Sequence, residues 1–214
     1  MSEGLFIVFE GINGCGKTEQ AHLLARHIVK LDKSNQVLLT SEPTENAGKI
    51  EKRLEKERDP YSHASKMAEL YVEDRVQHTN EVIIPNLERG VHVVCSRYRM
   101  STEGYQSAQG KNLDELIEMQ NESRILTADI TFFLDIDSGT SLKRTGSGKS
   151  IDKFEGNPDF VDALIRQYKK CIKLGRRNTD LYGRIVVVNG KMSVESVSKT
   201  VNRVFSGFYN SLRE

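Results

Sequence analysis

Residues 6 to 18 read FIVFEGINGCGKT, an apolar run that leads into a glycine-rich turn ending in lysine and threonine. The turn fits the pattern G-x-x-x-x-G-K-[ST], which directly after an apolar run and before a helical pattern predicts a P-loop. Its backbone N–H groups can surround phosphate oxygens, the lysine can reach the β and γ phosphates, and the threonine hydroxyl can bind Mg2+. The residues predicted to bind a nucleotide here are Gly11, Ile12, Asn13, Gly14, Cys15, Gly16, Lys17 and Thr18.

A second glycine-rich stretch, GSGKS at residues 146–150, fits the pattern less well. Lys143 occupies the position of the leading glycine, and no apolar run leads directly into the stretch. We therefore interpret residues 145–157 as a basic loop, or lid, between two helical patterns rather than as a second nucleotide site.

Five short apolar runs alternate with helical patterns along the chain. Such alternation predicts an α/β fold in which a five-stranded parallel sheet has helices on both faces. The last helical pattern, at residues 193–212, repeats valine and phenylalanine at helical spacing, which is typical of core packing. A length of 214 residues fits a single domain that spans 1–214. The predicted strands are residues 5–9, 37–40, 91–95, 130–134 and 185–188.

The charges nearly balance, with 31 Lys plus Arg against 30 Asp plus Glu. The chain therefore lacks the positive field that attracts nucleic acid or acidic membranes, and no apolar run approaches membrane-spanning length. Its three cysteines have neither disulfide nor zinc-ligand spacing, which fits a reducing compartment. We expect a cytoplasmic protein with small-molecule ligands and no nucleic-acid or membrane partner.

A phosphate site alone does not distinguish a switch GTPase, a nucleic-acid ATPase and a small-molecule kinase. The guanine-reading pattern N-K-x-D is absent, and so is the basic track expected of a helicase-like protein. A kinase with two phosphate pockets needs arginines outside the P-loop, because guanidinium groups bind phosphate in a bidentate manner. Arg75 and Arg97 are candidates for this role and favour the kinase.

The segments FEGINGCGKTEQ, SEPT, LYVEDRVQH, CSRYRMSTEGYQ and LDID follow the order and spacing seen in thymidylate kinases. The sequence resembles that family over most of its length. The resemblance implies a doubly wound P-loop NTPase fold that transfers the γ-phosphoryl group of ATP to dTMP with Mg2+, giving dTDP, and homodimers are common in the family. Two alternatives stay open: a kinase of broader specificity for deoxynucleoside monophosphates, and a regulatory P-loop NTPase that hydrolyses nucleotide without an acceptor.

The resemblance also assigns residues to the acceptor, dTMP. It implies that Tyr71 stacks on thymine, that Arg75 and Arg97 hold the dTMP phosphate, and that the ring of Tyr105 crowds a ribose 2′-hydroxyl. The residues that it assigns to dTMP are Glu42, Pro43, Tyr71, Arg75, Arg97, Thr102, Tyr105 and Gln106.

Three positions depart from the family pattern, since Asn13 and Ser96 replace acids and Ser41 replaces an arginine. We expect Thr18 to bind Mg2+ directly and Ser96 to reach it only through water. The departures bear on rate and on substrate identity rather than on the reaction class, because phosphoryl transfer needs charge neutralisation and not a protein nucleophile.

The lid of the family supplies an arginine to the transferring phosphoryl group when the P-loop lacks one. Here the P-loop has Gly14 at that position, and residues 145–155 contain no arginine. We expect Lys153, in the segment DKFE, to supply the charge, with Lys149 as the second candidate. Arg144 is expected beside the adenine, where Asn189 and Gly190 follow the last strand. The expected catalytic residues are Lys17, Arg97, Lys153 and Lys149.

Overall fold

The computed structural model describes residues 4–44, 47–48, 50, 59–146, 154 and 157–213. The strands are β1 (Phe6–Glu10), β2 (Val37–Ser41), β3 (His92–Ser96), β4 (Ile130–Asp135) and β5 (Arg184–Asn189). They form one parallel sheet in the order β2-β3-β1-β4-β5. All five runs predicted as strands are strands, and the predicted parallel α/β fold is confirmed.

Helices connect the strands and cover the sheet. A π-helical turn, Thr79–Ile83, joins the second helix to the third. None of the helices in the described part of the chain has both the length and the apolarity needed to cross a bilayer. The described helices are α1 (Lys17–Leu31), α2 (Ala64–His78), α3 (Ile84–Glu88), α4 (Arg99–Ala108), α5 (Leu113–Glu122), α6 (Ser138–Thr145), α7 (Pro158–Gly175) and α8 (Val194–Ser211).

The central strand β1 is buried along its whole length. Successive side chains of a strand point to opposite faces of the sheet, and the core follows this alternation. Phe6 and Val8 pack in a cluster with Val72 of α2, whereas Ile7 and Phe9 pack in a larger cluster with residues of α1 and α8. Burial on both faces explains why the strand has no polar residue before Glu10.

The parallel register brings the carboxyl ends of the strands to one edge of the sheet. Phe9 of β1 lies opposite Ser96 of β3, and Ser96 lies opposite Ser41 of β2. The P-loop follows β1, and the candidate acceptor residues Glu42 and Arg97 directly follow β2 and β3. This edge is where open α/β sheets bind ligands, and the fold brings the P-loop, Glu42 and Arg97 to it.

The turn before β5 depends on Gly183, which has a φ of +65°. A Cβ atom built there would lie 1.9 Å from the carbonyl oxygen of Ala128. We expect Gly183→Ala to lower the free energy of unfolding by about 2–4 kcal/mol, because both the backbone angle and the contact become unfavourable. Urea unfolding followed by circular dichroism measures this change.

Gly207→Ala is the matched control for this substitution. Gly207 lies in α8, and a Cβ atom there would meet no atom within 4 Å. The change should leave stability unaltered or raise it by up to about 1 kcal/mol, since alanine favours a helix. Equal effects of the two substitutions would contradict the role assigned to Gly183.

Candidate active site

The P-loop joins β1 to α1 through glycines with left-handed backbone angles. Gly14 and Gly16 have φ values of +75° and +97°, and Gly16 precedes the first residue of α1. The Lys17 ammonium group donates to the carbonyl oxygens of Gly11, at 2.9 Å, and Ile12, at 3.1 Å. The lysine thus lies along the inside of the loop, next to the amino end of a helix, where a phosphate chain is best stabilised.

A pocket of about 130 Å³ opens beside the P-loop at the same edge of the sheet. All eight residues that the resemblance assigned to dTMP line it, so the fold brings together positions that are up to 64 residues apart (42 to 106). Their role in binding stays a prediction. The complete lining is Asn13, Glu42, Pro43, Tyr71, Arg75, Arg97, Ser101, Thr102, Tyr105, Gln106 and Phe154.

Arg75 is fixed by a buried polar network. Its side chain, 1% exposed, donates from Nε to Glu42 Oε2 at 2.7 Å and from Nη1 to Gln120 Oε1 at 2.5 Å. The second terminal nitrogen donates to the carbonyl oxygen of Tyr98 at 2.9 Å. Nδ1 of His78, which is also buried, lies 3.1 Å from Glu42 Oε1. These contacts determine the plane of the guanidinium group before any ligand binds.

Arg97 lies between the P-loop and the pocket. It follows β3 with a φ of +68°, and its backbone N–H donates to the carbonyl oxygen of Phe9 at 2.9 Å. Its guanidinium group forms a short hydrogen bond to Asn13 of the P-loop and a longer one, 3.4 Å, to the Tyr105 hydroxyl. The group also lies over the Tyr105 ring, 5.4 Å from its centroid. The Arg97 guanidinium group therefore contacts both the P-loop and the pocket.

Glu10 connects the P-loop to the pocket through the backbone, and none of the sequence motifs indicated it. Its buried carboxylate accepts from the backbone N–H groups of Tyr98 and Ser101, at 2.9 and 3.0 Å, and from the Ser101 hydroxyl at 2.6 Å. Burial raises the pKa of Glu10, and these hydrogen bonds oppose the increase. An acidic residue at the end of a buried strand, directly before Gly11, is the sequence signal that could have indicated it.

Arg144 links the P-loop to the end of β5. Its Nη1 donates to the carbonyl oxygens of Gly14, at 3.1 Å, and Gly190, at 3.0 Å. Asn189 and Gly190 therefore lie beside the P-loop, as the expected adenine position requires, although their binding role stays a prediction. The two lid lysines, Lys149 and Lys153, lie outside the described residues.

The described residues offer a hydroxyl rather than a cluster of acids for a metal ion. No group of three or more His, Cys, Asp or Glu side chains among them could hold one. Thr18 is exposed in the first turn of α1, whereas Ser96 is buried at the end of β3. Mg2+ keeps several waters and binds mostly to substrate phosphates, so a single P-loop hydroxyl fits its needs.

The titration of Lys17 gives a pH dependence that can be measured. Burial, together with the charge of Arg97, lowers the pKa of Lys17 to about 8. Bound phosphates raise the pKa of a lysine, so above pH 8 binding must be accompanied by proton uptake. We expect the dissociation constant for ATP to increase up to about ten-fold per pH unit above pH 8 and to change little between pH 7 and 7.5.

Calorimetry in two buffers of different ionisation enthalpy measures both the affinity and the proton uptake. Lys17→Met is the control, and it should bind ATP weakly with no pH dependence in this range. An ATP affinity of the unmodified protein that stays constant from pH 7.5 to 9 would show that Lys17 does not titrate there.

Comparison with known proteins agrees with this geometry. A family model described as thymidylate kinase matches residues 9–201. The sequence is 35% identical over 211 residues to a thymidylate kinase of Trichormus variabilis, covering 95% of this chain and 96% of the relative. It is 34% identical over 203 residues to a probable thymidylate kinase of Pyrococcus abyssi, covering 92% and 94%. It is 39% identical over 198 residues to a thymidylate kinase of Wolbachia pipientis, covering 86% and 95%. The chain therefore belongs to the thymidylate kinase family and has the P-loop NTPase fold of that family.

Proposed function

We propose that this chain transfers the γ-phosphoryl group of ATP to dTMP, giving dTDP and ADP. Family membership supports the reaction, because the matched relatives are named thymidylate kinases. The structural observation that carries the proposal is the placement of Arg97, which contacts Asn13 of the P-loop and Tyr105 of the pocket. A cation between two phosphate-binding regions is suited to a phosphoryl group that passes from one to the other.

The chemistry requires positioning and charge neutralisation. A phosphate oxygen of dTMP forms a bond to the γ-phosphorus while the bond between that phosphorus and the bridging oxygen of ADP breaks. Lys17 holds the β and γ phosphates, and Arg97 reduces the repulsion between the two anions as they approach. Thr18 would hold Mg2+, which neutralises charge on the β and γ phosphates when bound, and Ser96 would act on it through water.

The pocket residues have distinct roles in this proposal. Tyr71, half-buried in α2, provides the ring on which thymine stacks, and Arg75 binds the acceptor phosphate in a fixed orientation. Thr102 and Gln106 lie on α4 and read the base edge, while Tyr105 on the same helix excludes a ribose 2′-hydroxyl. Glu42 acts through Arg75, with which it pairs, and Pro43 forms part of the pocket wall.

A panel of acceptors tests the proposed function. With ATP and Mg2+, we expect efficient diphosphate formation from dTMP and at least about ten-fold lower kcat/KM with other deoxynucleoside monophosphates, since unpaired buried polar groups disfavour the wrong base. Similar efficiencies across the panel would favour the broader monophosphate kinase. ATP hydrolysis that no monophosphate alters would favour the regulatory NTPase and contradict the kinase. Lys17→Ala is the inactive control.

The lid cation is a separate proposal. Phe154, the residue that follows Lys153 in the chain, is buried in the lining of the pocket, where its ring lies 5.3 Å from that of Tyr105. This placement supports Lys153 over Lys149 as the cation that stabilises the transferring phosphoryl group. Lys153→Ala should lower kcat by about ten-fold to a thousand-fold and change the KM for dTMP less, because the contact forms mainly in the transition state.

Two further lid variants complete this test. Lys153→Arg should keep or raise kcat, since a guanidinium group binds phosphate oxygens better. Lys149→Ala is the matched control and should have a smaller effect than Lys153→Ala. A normal kcat in Lys153→Ala together with loss of activity in Lys149→Ala would reverse the assignment of the two lysines.

Several expectations remain predictions. They are the single domain with a lid at residues 145–157, the cytoplasmic location, the homodimer and the absence of a nucleic-acid partner. Light scattering coupled to size-exclusion chromatography measures the oligomeric state directly.

A further inference from the structure

Gln106 presents a buried oxygen atom that has no partner. The residue lies on α4, is 0% exposed and lines the pocket. Its Nε2 donates to Gln109 Oε1 at 3.0 Å. Its Oε1 accepts no hydrogen bond from any described residue. Buried amide oxygens are almost always hydrogen-bonded in folded proteins, so this one indicates a donor that arrives with a ligand.

The orientation of the Gln106 amide is set by Gln109, the residue that directly follows α4. Nε2 of Gln109 donates to the backbone carbonyl oxygens of Pro60, at 2.6 Å, and Ser62, at 3.1 Å. A backbone carbonyl can only accept, so Gln109 must direct its amino group toward these two oxygens. Its own oxygen then faces Gln106.

This chain of contacts leaves Gln106 one arrangement. If its amide were rotated by 180°, its oxygen would lie against the Gln109 oxygen, and two acceptors would repel each other at 3.0 Å. Gln106 therefore keeps its amino group toward Gln109, and its Oε1 stays an acceptor. The orientations of both amides are thus fixed by the backbone carbonyls of Ser62 and Pro60, which lie 47 and 49 residues before Gln109 in the sequence.

We propose that Gln109 is a positioning residue that makes Gln106 an obligatory hydrogen-bond acceptor toward the base of the monophosphate. The proposal rests on the proposed function and specifies the base chemistry that the site accepts. Uracil and thymine carry an N–H group at position 3, which can donate to Oε1. Cytosine has a lone pair at the same position, and this lone pair would face the Gln106 oxygen. Because Gln109 fixes the orientation of the Gln106 amide, the site selects bases that carry the imide N–H.

A comparison of dUMP with dCMP tests this contact, because the two nucleotides differ only at positions 3 and 4 of the base. The unmodified protein should use dUMP with a kcat/KM at least about ten-fold above that for dCMP. Gln109→Met removes the acceptor that holds the Gln106 amide, so the amide can turn and donate to cytosine. In this variant the ratio of dUMP to dCMP efficiency should fall about ten-fold, and the absolute kcat/KM for dCMP should rise.

Ser107→Ala is the matched control, since Ser107 is a buried polar residue of the same helix whose hydroxyl has no partner among the described residues. It should change both efficiencies equally and leave the ratio within about two-fold. A purely structural role of Gln109 would likewise lower both efficiencies together. Should Gln109→Met fail to fold, Gln109→Asn serves instead, because its shorter side chain cannot reach the two carbonyls and Gln106 at once.

The outcomes separate this proposal from the proposed function. If the unmodified protein phosphorylates dTMP but the dUMP to dCMP ratio is unchanged in the Gln109 variants, the Gln109 proposal is wrong and the kinase stands. A ratio near one in the unmodified protein overturns the proposal without any variant. If no monophosphate is phosphorylated at all, the proposed function itself fails.

Discussion

The carboxylate of Glu10 holds the first turn of α4 against the end of β1, and the geometry of the whole site depends on this contact. The P-loop begins at Gly11, directly after Glu10, and α4 carries Thr102, Tyr105 and Gln106. Burial of a carboxylate is destabilising unless its oxygens are hydrogen-bonded. Here the backbone N–H groups of Tyr98 and Ser101 and the Ser101 hydroxyl provide these hydrogen bonds. The separation of the two substrate regions is therefore set by hydrogen bonds inside the protein and not by the substrates.

Preorganisation extends from this contact to the cations. Arg75 is held by Glu42 and Gln120, and Gln120 also donates to Glu103 at 2.8 Å. Glu103 in turn pairs with Arg99 and accepts a short hydrogen bond from Tyr182. The network runs from Glu42, directly after β2, to Tyr182, in the turn before β5. Charges fixed in this way stabilise a transition state without the cost of reorganisation.

The sequence alone was sufficient to predict the strands and those parts of the site that consist of consecutive residues. The P-loop and the strands could be predicted because each depends on a short pattern in which burial and hydrogen bonding are set by neighbours in the chain. The residues that hold the site in place were missed, since Glu10 bonds a backbone group 88 residues away and Gln109 one 49 residues away. Such pairs have no period in the sequence, and only the fold brings them together.

The departure at Asn13 acquires a physical meaning from its contact with Arg97. An acid at this position would neutralise the guanidinium group at short range, whereas the amide oxygen of Asn13 orients the group and leaves its full charge. Ser96, at the end of β3, likewise adds no negative charge near the phosphates. A site with fewer acids has a more positive potential where the two phosphate groups must meet. Under the proposed function a lid lysine takes the place of an arginine, and the absence of the two acids would partly offset its weaker contact with phosphate oxygens.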